Sequence, residues 1–166
     1  TTAVWWQLAP TVLDARFASR QEALDGFLGA AYALHHVAAL RLMSETLDLG
    51  RAVGDGDARW FATVGAHGRG RIRGADGQER LDALHAERFS PTVFLYDNYP
   101  GGIGLSEPLY TLRQQVVEDV LGLVTACGCQ CGCPACIGPV LASEEQRGYS
   151  PKQSAQHVLE LFADGG

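Results

Sequence analysis

The residues of this 166-residue chain that can do chemistry at a defined spacing lie in one stretch: Cys127, Cys129, Cys131, Cys133 and Cys136, with Gly128, Gly132, Pro134 and Gly138 threaded among them. These five are all of its cysteines. Thiols used only as small core hydrophobes would be scattered, so the cluster reads as a metal site. Thiolates about 2.3 Å from a tetrahedral zinc approach one another to roughly 3.8 Å, which neighbouring positions reach only from a tightly folded backbone. Cys133-Pro134-Ala135-Cys136 has the C-x-x-C spacing of a chelating turn. Pro134 presets one backbone angle, and Gly132 permits a positive φ beside it. Two more ligands are due from Cys127, Cys129 and Cys131, and spacing does not choose among them.

Other thiol chemistries compete. Disulfides fit poorly, because an odd count leaves one thiol over and alternate residues of an extended chain face opposite ways. An iron–sulfur cluster also takes four thiolates, and a redox or sensing domain built on one stays open on spacing alone. A thioredoxin-like pair would be a single C-x-x-C without crowding cysteines, which is not this pattern. Structural zinc is the preferred reading: four thiolates leave no open position for water, so the site holds structure and hydrolyses nothing.

Composition bounds the rest. A hydrophobic share of 46% suffices for one core and a single domain. The net charge of -6 gives no overall attraction to nucleic acid or an anionic membrane, so any DNA contact must be local. Lys152 is the one lysine among thirteen basic residues, a bias read as genome composition. No apolar run has the length of a membrane span, and reduced, clustered cysteines fit the cytosol. The chain starts at Thr1 and its one methionine is Met43, which reads as a piece of a longer polypeptide.

The elements that must position the cysteines follow from periodicity. Residues Thr1 to Leu8 form a β-prone run closed by Pro10, and Leu24, Phe27, Leu28, Ala31, Leu34, Ala38 and Leu42 recur at helical spacing within Arg20 to Met43. His35 and His36 are adjacent on that helix and cannot share an ion; no histidine has a motif partner, and all are read as core or surface residues. Arg59 to Val64 reads as a strand returned antiparallel by Arg71 to Arg73, with a short helix over Glu79 to Glu87. Arg69, Arg71 and Arg73, with Trp60 and Phe61 nearby, are the candidate DNA contact, since arginines neutralise phosphate and aromatics stack on bases.

Thr92 to Tyr96 is an apolar strand, and Asp97 to Gly104 a glycine-rich loop. Ser106 and Glu107 then offer cap chemistry to a helix that runs into Cys127. The loop lacks the lysine of a P-loop and fails G-x-G-x-x-G at Glu107. Its glycines are read as allowing close strand–helix packing, with an anion such as a DNA phosphate at the free helix amides as the alternative. Ser150 and Pro151 open a last helix with Ala155, Val158, Leu159 and Phe162 inward. The fold class expected is α+β, a helix-dominated single domain of three main helices. Its small antiparallel sheet would be built from the first strand, the hairpin and Thr92 to Tyr96.

Two stretches together carry a family resemblance. Phe94-Leu95-Tyr96-Asp97-Asn98-Tyr99-Pro100-Gly101-Gly102-Ile103-Gly104, followed by Cys127-Gly128-Cys129-Gln130-Cys131-Gly132-Cys133-Pro134-Ala135-Cys136, resembles the zinc-binding domain at the C-terminal end of MrfA-type superfamily-two DEAD/DEAH-box DNA helicases. The Arg20 to Met43 helix and Asp48-Leu49-Gly50 also look like parts of that domain. Tyr32 and Ser44 stand where many relatives have histidine and cysteine. The resemblance implies one structural Zn2+ on Cys127, Cys129, Cys133 and Cys136, with Cys131 a bystander. It also implies a parent protein of the bacterial cytosol and nucleoid that binds DNA, hydrolyses ATP and translocates along a strand, in some members during DNA repair. This chain contains no ATPase motif and would be an accessory module held against helicase core domains in cis. The competing class is a protein-docking zinc module without DNA contact, using exposed aromatics such as Trp5, Trp6 or Tyr99.

Overall fold

The computed structural model describes residues 2–54, 60–64, 89–139 and 148–165, and of 60–64 the strand alone. Its elements run β1 (Ala3–Gln7), α1 (Pro10–Arg16), α2 (Arg20–Arg41), β2 (Leu49–Gly54), β3 (Trp60–Val64), β4 (Thr92–Asp97), α3 (Ser106–Ala126) and α4 (Pro151–Ala163). This is the expected α+β class, helix-dominated with a small antiparallel sheet. The strand order is β1-β4-β2-β3, every pair antiparallel. The sequence reading missed α1 and β2. β2 carries Gly50, Arg51 and Gly54 and lacks an apolar alternation, yet it sits at the sheet centre between β3 and β4. The partner of β3 is therefore β2; Arg71 to Arg73 and the helix expected over Glu79 to Glu87 lie outside the described residues.

α2 is the core of the molecule. Ser19 accepts the Glu22 N–H at 3.1 Å while the Glu22 carboxylate accepts the Ala18 N–H at 2.9 Å, so paired side-chain bonds around the Ser19 N-cap, close in kind to a capping box, fix the helix start. Periodicity marked one apolar face, but Ala23, Gly26, Gly29, Ala30, Ala33 and Ala39 are buried as well, and the helix is enclosed on most sides. The small residues are where α4 comes closest. A Cβ at Gly26 would stand 2.6 Å from the Ser154 carbonyl oxygen, and one at Gly29 3.1 Å from the Ala155 Cβ. Helix α4 starts as read, with Ser150 as N-cap and Pro151 in the first turn.

The start of α3 corrects two expectations. Ser106 is not a cap: Leu105 is the N-cap residue and makes no side-chain cap bond. The Ser106 hydroxyl instead donates to the Thr2 carbonyl at 2.9 Å and to Asp97 at 3.2 Å. Asp97, 1% exposed, accepts the Leu105 N–H at 3.2 Å, so the anion at this helix start is the chain's own carboxylate. The loop glycines Gly101, Gly102 and Gly104 have φ of 89°, 73° and 85°. Gly101 and Gly104 serve the turn and not close packing, since nothing lies within 4 Å of a Cβ there, whereas a Cβ at Gly102 would stand 3.2 Å from an Asp97 carboxylate oxygen.

The sheet's inner face carries Val4, Trp6, Leu49, Val53, Val93 and Leu95, all buried. Trp6 is thus a core residue and no docking aromatic, whereas Trp5, 61% exposed, and Tyr99 stay at the surface. Arg51 stands between Leu49 and Val53 on that inner face, its guanidinium 4.8 Å from the centre of the Tyr32 ring on α2 and 3.3 Å from His35 Nδ1. His35 Nε2 lies 3.0 Å from the Thr46 carbonyl and 2.9 Å from that of Leu49. Two acceptors at Nε2 and a cationic donor at Nδ1 fix the neutral Nε2–H tautomer. Burial, with Arg51 adding to it, lowers the His35 pKa to about 4 from an ordinary 6.5.

In the unfolded chain His35 takes up its proton near pH 6.5, while in the folded state it resists until about 4. The stability this neutral histidine provides is complete above pH 6.5 and lost as pH falls toward 4. Urea unfolding at pH 7.5 and pH 5 should show His35→Gln, which does not titrate, losing about 2 kcal/mol less than the parent chain between the two conditions. Equal losses would rule out the buried neutral imidazole.

Candidate metal centre

α3 delivers the first cysteine. Its last turn closes with the Cys127 N–H on the Leu123 carbonyl at 3.1 Å, and Cys127 itself turns extended, with φ -66° and ψ 127°. The chain then doubles back through Gly132 at φ 116°. A tight turn follows, in which the N–H groups of Cys136 and Ile137 both reach the Cys133 carbonyl, at 3.0 and 3.1 Å. The glycine and the proline act as read: one supplies a positive φ, the other a preset turn.

These turns bring together Cys127, Cys129, Cys133 and Cys136, whose sulfurs all lie within 4.8 Å of one another. The separations are 3.5 Å for Cys127–Cys129, 3.7 Å for Cys127–Cys133, 3.5 Å for Cys129–Cys136 and 3.6 Å for Cys133–Cys136. Such distances approach the edge of a zinc–thiolate tetrahedron, roughly 3.8 Å, and are far longer than a disulfide bond at about 2.05 Å. None of the five cysteines is in a disulfide, and Cys131 stands outside the group of four. The donor set and its spacing fit a single zinc ion.

Electrostatics within the group are uneven. Burial pushes the Cys136 thiol up to about 12, and burial also raises that of Cys129. Cys133 is lowered to about 7, first by the Ala135 backbone N–H. Of these three, Cys133 alone ionises more readily than an ordinary thiol, and thiolates held so close would repel one another. A divalent metal removes that repulsion and binds by displacing the remaining protons.

The loop's outward carbonyls are held by groups from elsewhere in the chain. From α2, the Tyr32 hydroxyl donates to the Pro134 carbonyl at 2.8 Å, and the Tyr32 ring lies where a Cβ at Gly138 would stand, 2.7 Å away. From α4, the Lys152 ammonium donates to the carbonyls of Cys127 at 2.6 Å and Cys129 at 2.8 Å. The Lys152 N–H reaches the Cys131 carbonyl at 3.0 Å, and the Ser150 hydroxyl that of Gln130 at 3.3 Å. Sequence reasoning missed both side chains. Tyr32 stood out only as a position where many relatives have histidine, with no partner assigned to it. Lys152 was assigned to composition, although its being the one lysine beside a helix cap was the available signal.

Trp60 opens β3, its side chain undescribed, and Arg69, Arg71 and Arg73 lie outside the described residues. Among the described residues no helix is long and apolar enough to cross a membrane.

Comparison with known proteins bears on the same region. A family model described as the MrfA Zn-binding domain matches residues 30–137. The chain is 52% identical over 73 residues to an uncharacterized ATP-dependent helicase, YprA, of Bacillus subtilis, covering 44% of this chain and 9% of the helicase. It is 40% identical over 45 residues to an uncharacterized protein of Methanocaldococcus jannaschii, covering 27% of this chain and 40% of that protein. In fold it is similar to the crystal structure of the DUF1998 helicase MrfA bound to DNA, with a TM-score of 0.61 at 23% identity, covering 96% of this chain and 17% of that one. The chain thus spans a small part of either helicase.

The Tyr32–Gly138 contact can be tested without touching a cysteine. Tyr32→Phe removes one hydrogen bond and should lower the stability of the metal-loaded chain by about 1 kcal/mol in urea unfolding. Gly138→Ala forces a side chain onto φ +85° and into the Tyr32 ring, and should cost more, about 2–3 kcal/mol. The reverse ranking would show that the ring does not hold the loop.

Proposed function

This chain belongs to the MrfA zinc-binding domain family, and we propose that its 166 residues form the C-terminal zinc module of a longer ATP-dependent DNA helicase. In this reading Cys127, Cys129, Cys133 and Cys136 hold one structural zinc ion. The observation that carries it is the convergence of those four sulfurs within 4.8 Å while the fifth stays outside. A closed four-thiolate site leaves no position for a reacting water, so the module contributes architecture and no bond-breaking step of its own. When bound, the metal would supply a cross-link between the end of α3 and the turn that precedes α4.

The parent protein would be a superfamily-two enzyme of the cytosol that moves along DNA, with repair of damaged DNA as its setting. The module would sit against the helicase core in cis. Support comes from the identity to YprA and from the fold shared with MrfA, whose crystal structure holds it bound to DNA. Arg69, Arg71, Arg73 and Trp60 are the proposed contact of this module with a DNA strand, on the ground that arginines displace counterions from phosphate and indoles stack on bases.

Two experiments test the halves separately. Elemental analysis of protein purified without added metal should give one zinc per chain, with no visible absorbance. Serine at Cys127, Cys129, Cys133 or Cys136 should abolish that stoichiometry and Cys131→Ser should keep it, while chelation should unfold the chain. Iron with visible colour, or an unchanged melting temperature after zinc removal, would reject the structural-zinc reading. In the intact helicase, Arg69→Glu, Arg71→Glu and Arg73→Glu combined should weaken DNA binding and reduce the salt slope of log K by about 2–3. An unchanged slope would reject the contact.

A further inference from the structure

Lys152 is the chain's only lysine and is 7% exposed. Among the described residues no carboxylate pairs with its ammonium. Its partners are the carbonyl oxygens of Cys127 and Cys129, at 2.6 and 2.8 Å. A buried ammonium solvated by two neutral carbonyls loses most of its hydration, and such a charge persists where a nearby anion compensates it.

Its place in the helix sharpens the point. Lys152 is the second residue of α4, and a cation in the first turn of a helix opposes the helix dipole. Two positive features, the helix N-terminus and the ammonium, therefore converge on the cysteine loop. The last turn of α3 contains no basic residue, so its negative end takes up part of this charge through the Cys127 carbonyl. The larger complement would be the metal site, since four thiolates on a divalent zinc carry a net double negative charge.

We propose that Lys152 is the counter-ion and positioning residue of the zinc–thiolate centre, offsetting its charge while clamping the backbone of two of its ligands. The proposal rests on the zinc reading above. It assigns to α4 a task beyond packing: the helix brings a fixed positive charge to the ligand loop. Outer partners of this kind commonly tune metal affinity by 10- to 100-fold.

The test compares the parent chain with Lys152→Met, which keeps length and loses charge, and Lys152→Arg, which keeps charge. Zinc content of the parent chain is measured first, and its absence would defeat the zinc reading itself, separately from this one. Competition with a chromophoric zinc chelator should then show Lys152→Met at least tenfold weaker and Lys152→Arg within about threefold of the parent. In cobalt-substituted protein the sulfur-to-metal charge-transfer band of Lys152→Met should move to longer wavelength with its tetrahedral d–d intensity retained, as thiolates stripped of a counter-ion become more electron-rich. Loss of packing alone would not move that band. Zinc affinity of Lys152→Met within twofold of the parent, an unmoved band, or Lys152→Arg as weak as Lys152→Met would each overturn the proposal. If Lys152→Met does not fold even in excess zinc, Lys152→Arg decides: affinity within threefold upholds the role, and a tenfold loss overturns it.

Discussion

Folding a chain tightly enough to bring four sulfurs together turns its peptide carbonyls outward, and every one that is shielded from water needs a donor. The rest of the structure depends on how that demand is met. The cysteine loop supplies its own donors at Cys133, from the N–H groups of Cys136 and Ile137. Cys127, Cys129, Gln130, Cys131 and Pro134 rely on Lys152, Ser150 and Tyr32, residues of α4 and α2 or of the cap just before α4. The two helices must therefore lie close together beside the loop. Gly26 and Gly29 let them do so by removing the side chains that would hold Ser154 and Ala155 away.

The same economy runs through the sheet side. Arg51 is a charged residue on an inward-facing strand position, and it is accommodated because Tyr32 offers an aromatic face and His35 a ring nitrogen. Tyr32 thus touches the cysteine turn through its hydroxyl and the central strand through its ring. One side chain mechanically links the candidate metal centre to the sheet, and it does so from the middle of the core helix.

What could be read from the sequence divides along physical lines. The thiol cluster, its turn residues and the long helices were legible because each is encoded by local spacing: alternate cysteines, a C-x-x-C, apolar steps of three and four. β2 was not, because a central strand holding two glycines and an arginine is stabilised by its neighbours β3 and β4 and not by its own alternation. Nor was the burial of nearly the whole circumference of α2, since alanine and glycine look neutral until a second helix packs on them. Asp97, Tyr32 and Lys152 escaped for a related reason. Their partners are 8, 102 and 25 residues away in sequence, and no motif records a hydrogen bond to a distant backbone. Arginine spacing suggested a DNA contact at positions 69–73, which lie outside the described residues.

The distances along the chain also bear on how the molecule comes into being. β1 pairs with β4 across some ninety residues, Thr2 meets Ser106, and Tyr32 meets Pro134. Contacts of such long sequence separation form late, after large loops have been closed. During that search the thiols have neither their Lys152 clamp nor their Tyr32 anchor. The cluster is consequently most open to oxidation or to capture of the wrong metal while the chain is being synthesised, and a reducing environment matters more for its birth than for its finished state.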